Sequence, residues 1–337
     1  MKRWVLFIAA IGAMAPAVCR AQHVSEPVSQ TAALGSGAYK AIMEADPGLK
    51  GFTVYRPQNL AALRAHKLPI VVWGEGGCAN EGNRFRWFLS EIASHGYVVV
   101  AVGPILPPEK EIWNAAPPQP GRGQQPGRPQ QAGRAQQPGR GALPTPGALP
   151  PAATHSAQLI QGMDWAIAEN GRKGGQYFGK LETGKIAAMG MSCGGGQALE
   201  AGLDPRVTTT VLWNSGLFPD DTNSNSMFGG KPLKKADLNQ MHGAVAYISG
   251  DETDIAFINA NDDFSKLPNI PAFRAYKKGV PHDGTYGDVN GGAFGKVAVA
   301  WLDWRLKNDA KAGQIFLGPK CGLCADPEWV VQQKNLK

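Results

Sequence analysis

Lys185-Ile186-Ala187-Ala188-Met189-Gly190-Met191-Ser192-Cys193-Gly194-Gly195-Gly196-Gln197-Ala198-Leu199-Glu200-Ala201 sets the architecture expected of this chain. The first five residues form an apolar run with the character of a buried strand, and 194–201 has a helical composition. Between them stands Gly-X-Ser-X-Gly. A strand that turns sharply into a helix needs small residues two before and two after the serine, because side chains there would strike the neighbouring strand and helix. Such a turn projects the Ser192 hydroxyl from the carboxyl end of the strand. A chain with 43 glycines meets Gly-X-Ser-X-Gly by chance. The flanking strand and helix, more than the pattern itself, single out Ser192 as a candidate nucleophile.

Outward from this point, short Val- and Ile-rich runs alternate with helical patterns. The spacing predicts strands over 51–56, 69–74, 97–103, 185–191, 208–214, 244–250 and 272–277, and helices over 84–94, 155–169, 194–201 and 294–307. That alternation predicts an α/β fold, a mainly parallel doubly wound sheet with helices on both faces. Ligands of such sheets bind at the carboxyl ends of the strands.

Two segments are set apart from this pattern. Met1-Lys2-Arg3 and the apolar run that follows read as an export signal over 1–21, with the run too short for a membrane span. Val18 is bulky where lipid attachment at Cys19 wants a small residue. The stretch at about 117–151 repeats Pro-Gly-Arg and Gln-Gln and carries almost no apolar side chains. It reads as a disordered insertion, with polyanion or wall binding as the alternative. The net charge of +7 is accounted for by Lys2, Arg3 and Arg20 in the leader and Arg122, Arg128, Arg134 and Arg140 in the repeat. No basic face is therefore expected on the folded part, nor nucleic acid as a partner. About 280 residues remain, which suits one large α/β domain within 22–337. The mature protein is expected to be secreted or periplasmic, with no stable membrane span.

On a sheet of this kind the partners of a nucleophilic serine follow in the order acid, then histidine. Of six histidines only His282 lies downstream of every credible acid, in a glycine-rich loop after the last expected central strand. His95 reads as a helix-end residue, and His23, His66, His155 and His242 fall in leader, loop or helix-start positions. Gly250-Asp251-Glu252-Thr253-Asp254-Ile255-Ala256 offers three carboxylates at a strand end. Orienting an imidazole takes a buried carboxylate, so Asp254, beside Ile255-Ala256, is preferred to Asp251, and Glu252 is expected in solvent. Asp283 and Asp288 read as turn residues.

An oxyanion would be held by the amide of Cys193 and by an amide of the loop Gly74-Glu75-Gly76-Gly77-Cys78, with Gly77 or Cys78 as the donor. Both cysteines then lie at one point, and an exported chain meets oxidising conditions, so a Cys78–Cys193 disulfide is expected. Cys321 and Cys324 form the other pair. Without a second C-x-x-C or a neighbouring histidine, a structural bridge is favoured there over a redox or metal site.

With these residues in place, the chain resembles from about 51 to 325 the exported serine esterases of the α/β-hydrolase superfamily, the cutinase, polyester-hydrolase and chlorophyllase-like group. The elbow Gly190–Gly194 and the acid loop 250–256 carry the resemblance. It implies an α/β-hydrolase fold and cleavage of small or polymeric esters through an acyl-enzyme, without cofactor or metal. It also implies that Trp213, just after a strand, touches the acyl part of the substrate, with core packing as the other reading. Triad chemistry does not separate esters from amides. An exported serine peptidase therefore stands as the alternative, and a non-catalytic binding protein on the same scaffold as a third.

Overall fold

The computed structural model describes residues 34–107, 110, 152–222 and 224–337. The expected export signal and the expected insertion lie outside the described residues. One nine-stranded sheet organises the rest. It is built from β1 (Ala41–Glu44), β2 (Phe52–Pro57), β3 (Leu68–Gly74), β4 (Val98–Val102), β5 (Leu181–Met191), β6 (Thr209–Trp213), β7 (Ala244–Gly250), β8 (Ala272–Lys277) and β9 (Trp329–Lys334), in the order β1-β2-β4-β3-β5-β6-β7-β8-β9. Six consecutive strands, β4 to β8 across the sheet, run parallel. Antiparallel β1, β2 and β9 form the margins. The expected α/β class with a mainly parallel sheet is thus what the chain adopts.

β3, β4, β6 and β7 and residues 186–191 of β5 are buried throughout because both faces of the sheet are covered. In β3 and β6, Val71, Trp73, Val211 and Trp213 face one layer, together with side chains from α1 (Arg86–Ser94) and α5 (Gly292–Lys307). Ile70, Val72 and Leu212 face the other layer. There α2 (Ser156–Gly171), α3 (Cys193–Ala201) and α4 (Phe257–Lys266) pack. This period of two is what a strand dictates. Short helices α6 (Ala310–Gly313) and α7 (Gly322–Ala325) precede β9, and the Cys321–Cys324 disulfide closes the turn at α7.

Five strands and α-helices are not among those expected from the sequence: β1, β9, α4 and the short α6 and α7. β1 is only four residues and β9 reads Trp-Val-Val-Gln-Gln-Lys, half polar because an edge strand keeps one side in solvent. Helix α4, Phe-Ile-Asn-Ala-Asn-Asp-Asp-Phe-Ser-Lys, is rich in residues that weaken helices. Its apolar face on β7 and β8 holds it.

Register places the functional loops. Gly74 pairs with Gly190, Met191 with Trp213, Trp213 with Ile248, and Gly250 with Lys277. The loops after β3, β5, β6, β7 and β8 therefore leave the sheet side by side. Chain direction diverges between β3 and β5, since β3 leads to β4 on one side and β5 to β6 on the other. A crevice opens at that point.

Candidate active site

Ser192 sits between β5 and α3 at φ 53° and ψ −118°, a conformation that costs a non-glycine residue on the order of 1–3 kcal/mol. The surrounding backbone enforces it. Ser192 N–H donates to the Trp213 carbonyl at 2.9 Å, and its own carbonyl accepts from Ser215 Oγ at 2.6 Å. A Cβ on Gly190 would lie 2.1 Å from the Gly194 carbonyl oxygen, and one on Gly194 would lie 2.1 Å from the backbone of Gly74. Both glycines are obligatory because strand and helix backbones touch there.

His282, in the loop after β8, places Nε2 at 2.9 Å from Ser192 Oγ and Nδ1 at 2.6 Å from Asp254 Oδ1. Asp254 is buried, and all its other partners are donors. Oδ1 accepts from Ala256 N–H at 2.9 Å, and Oδ2 accepts from Asn214 Nδ2 at 2.8 Å and Gly250 N–H at 3.1 Å. Burial alone would raise its carboxyl, but the bond and charge of His282 with these N–H donors together prevail and hold it below the usual carboxylate range. Behind it Asn214, at φ 43°, accepts the Tyr286 hydroxyl through Oδ1. Burial and the nearby Asp254 push the Tyr286 phenol well up, so it remains a donor. Asn214 is thereby fixed with its amide toward Asp254. Asp251 takes a different part: it accepts from Thr253 N–H, Thr253 Oγ1 and Gly279 N–H and caps the turn without touching His282. Glu252 is exposed.

The loop after β3 folds as a 3-10 turn over Gly76–Cys78, with Gly77 at φ 67°. Gly77 and Cys193 line one cavity with Ser192. Cys193 is the first residue of α3, where helix geometry leaves the N–H without a partner and the helix dipole favours negative charge. The expectation for Cys78 needs correction. Its N–H donates to the Glu75 carbonyl at 3.1 Å and closes the turn, which leaves Gly77 as the remaining member of the expected pair. Burial pushes the Glu75 carboxyl well above its usual range, against the opposing charge of Arg84, whose guanidinium donates to the Gly76 carbonyl.

Cys78 and Cys193 form a disulfide with Cα atoms 5.2 Å apart, which ties this turn to α3. It joins positions 115 residues apart in sequence. Replacing both by alanine is expected to lower the free energy of unfolding by about 2–5 kcal/mol in urea titrations. Free alkylation of either thiol in the native protein would contradict the bridge.

A cavity of about 300 Å³ extends from Ser192. Its walls include Ala152, Phe218, Met227, Phe228, Ile255 and Ala256. The segment carrying Phe218 and Met227 is pinned through Asp263, which accepts from Leu217 N–H at 2.7 Å and Lys235 Nζ at 2.5 Å. Trp213 is not in this cavity. It is fully buried on the opposite face of the sheet, packed edge-on to Phe88 at 5.1 Å and tilted against Phe294 at 5.6 Å. It follows from the period of two that the residue pairing with Met191 points to the α1 and α5 layer, so the core reading replaces substrate contact.

Among the described residues no three His, Cys, Asp or Glu side chains are grouped to hold a metal ion, and no helix is long and apolar enough to cross a membrane. Sequence reasoning brought together Ser192, His282, Asp254, Gly77 and Cys193. It missed Asn214 and Tyr286. Asn214 follows the apolar strand Thr-Thr-Val-Leu-Trp directly, a position at the carboxyl edge that was available as a signal; nothing local marks Tyr286. Comparison with protein-family models returned no match, and neither did comparison with curated proteins.

Proposed function

We propose that this protein is an exported serine hydrolase of the α/β-hydrolase fold that cleaves carboxylic esters through Ser192, His282 and Asp254. The observation that carries the reading is the continuous hydrogen-bonded line Asp254, His282, Ser192, ending in a hydroxyl at the mouth of an apolar cavity. Two disulfides and the leader-like N-terminus support an oxidising destination.

In this mechanism Ser192 Oγ attacks the ester carbonyl while its proton passes to His282 Nε2. The amides of Gly77 and Cys193 receive the developing oxyanion. Collapse of the tetrahedral adduct breaks the bond to the alcohol, which leaves with the proton from His282. Water then gives a proton to the same nitrogen and its oxygen to the acyl carbon, and the second adduct collapses by breaking the bond to Ser192 Oγ, which takes the proton back from His282 as the carboxylic acid leaves. Asp254 keeps the proton on Nδ1, so that Nε2 is the accepting nitrogen. A panel of p-nitrophenyl alkanoates beside peptide anilides tests the substrate class. Ester turnover with peptides inert is expected, and cleavage of peptides with esters untouched would overturn the reading in favour of a peptidase.

A further inference from the structure

One polar side chain in the cavity has hydrogen-bonding capacity that the protein leaves unused. Ser192 and His282 bond to each other, Asn214 is held between Tyr286 and Asp254, and Ser215 donates to the Ser192 carbonyl. Asn259 also lines the cavity, and among the described residues no side-chain or backbone group bonds to its amide.

Its position is not that of a surface residue. Ile255 lies in the turn before α4 and Asn259 in its first turn, yet Ile255 is 63% exposed and Asn259 only 6%. The first is at the mouth and the second is deep. Gly216 fixes it there: a Cβ at Gly216 would lie 3.0 Å from Asn259 Cβ and 2.7 Å from Ala260 N. A primary amide carries two donors and an acceptor. At the wall of the cavity, beside Phe218, Met227 and Ala256, these groups are open to whatever partner a substrate supplies in place of water.

We infer that Asn259 is a specificity-determining residue that recognises a neutral hydroxyl or carbonyl on the substrate chain, so that the preferred esters carry oxygen away from the scissile group. The inference rests on the ester-hydrolase reading. Neutrality follows from the lining, which holds no Asp, Glu, Lys or Arg side chain among the described residues. A carboxylate or ammonium would lose its hydration there without a counter-charge. A hydroxyl both donates and accepts, and matches the amide more fully than a carbonyl.

The test measures kcat/KM for p-nitrophenyl esters of short straight-chain acids beside the same acids with one hydroxyl walked along the chain. A second arm compares acetates of alkanols with monoacetates of the corresponding diols, and so distinguishes an oxygen on the acyl side from one on the alcohol side. In one arm a single positional isomer is expected to exceed its plain counterpart by about ten-fold or more, the scale set by leaving a buried polar group unpaired. Asn259→Ala should bring that ratio close to one, and Asn259→Ser, which keeps a hydroxyl, should restore part of it. If the alanine variant does not fold, the positional preference of the wild type and the serine variant still decide. Plain esters preferred over every hydroxy isomer, or a ratio that neither substitution moves, would overturn the inference while leaving the esterase reading intact. Absence of any Ser192-dependent ester turnover would overturn both.

Discussion

Replacing Ser192 with alanine is expected to lower ester turnover by on the order of a millionfold, with the residual rate coming from the amides of Gly77 and Cys193 and from binding alone. The substitution removes the only atom that bonds to His282 Nε2 from the elbow, at 2.9 Å. It keeps the Cβ, so the backbone at φ 53° carries the same strain in both forms. The hydroxyl is half-buried at the cavity, and its loss should move the thermal midpoint little. Turnover of p-nitrophenyl acetate and a melting curve, measured on one preparation, check the two halves together. Retention of more than a few per cent of the activity would assign the nucleophile elsewhere.

The elbow was legible because its constraints are local and steric. Gly190 is forced by the backbone of Gly194 and Gly195, within a few residues of Ser192, whereas Gly194 is forced by Gly74 on the neighbouring strand, and the strand residues just before Ser192 are buried on both faces. The acid and histidine were legible through chain order, since parallel strands in register deliver the loops after β7 and β8 to the same edge. Asp254 could be preferred to Asp251 on the apolar residues after it; Asp254 is indeed buried, though Ile255 is exposed and Ala256 contributes only its N–H.

What the sequence concealed depends on partners far apart in the chain. Tyr286 reaches Asn214 across 72 residues, and no local pattern announces that bond. Trp213 was misjudged because its place after a strand says which edge it is near, whereas the side it faces depends on register. Met191 pairs with it, and the next residue, Ser192, turns out of the sheet while Trp213 points into the layer of α1 and α5. For Cys78 the nearness to Cys193 was deducible, but its engagement with Glu75 was not, because a three-residue turn can present either of two amides to the cavity. Helix α4 lacks propensity and exists through packing, so Asn259 had no predicted helix to place it on the cavity wall.

Asp254→Asn should cost on the order of ten-thousandfold in turnover, as a triad loses when its imidazole is held in the wrong tautomer. The carboxylate faces donors only: His282 Nδ1 and Ala256 N–H at Oδ1, Asn214 Nδ2 and Gly250 N–H at Oδ2. An amide brings two N–H donors into that site. Turned toward Oδ2's place, they oppose Gly250 N–H and an Asn214 that cannot flip, because its oxygen is taken by Tyr286. Turned toward His282, they require Nδ1 to accept, which moves the proton to Nε2, the nitrogen that must receive it from Ser192. Stability should fall as well, by about 1–3 kcal/mol for a buried donor facing a donor. The pH dependence has a definite sign. The folded Asp254 carboxyl is held below its unfolded value, so its stabilising contribution is present above that value, about 4, and is lost as pH falls through the folded one. Acid unfolding of the asparagine variant lacks that component. Asp251→Asn, by contrast, disturbs a turn that Asp251 caps by accepting from Thr253 and Gly279, and should leave turnover within a few-fold of the wild type. Paired kinetics on the two variants decide the assignment: a severe loss at Asp251 with a mild one at Asp254 would transfer the role of orienting His282 to Asp251.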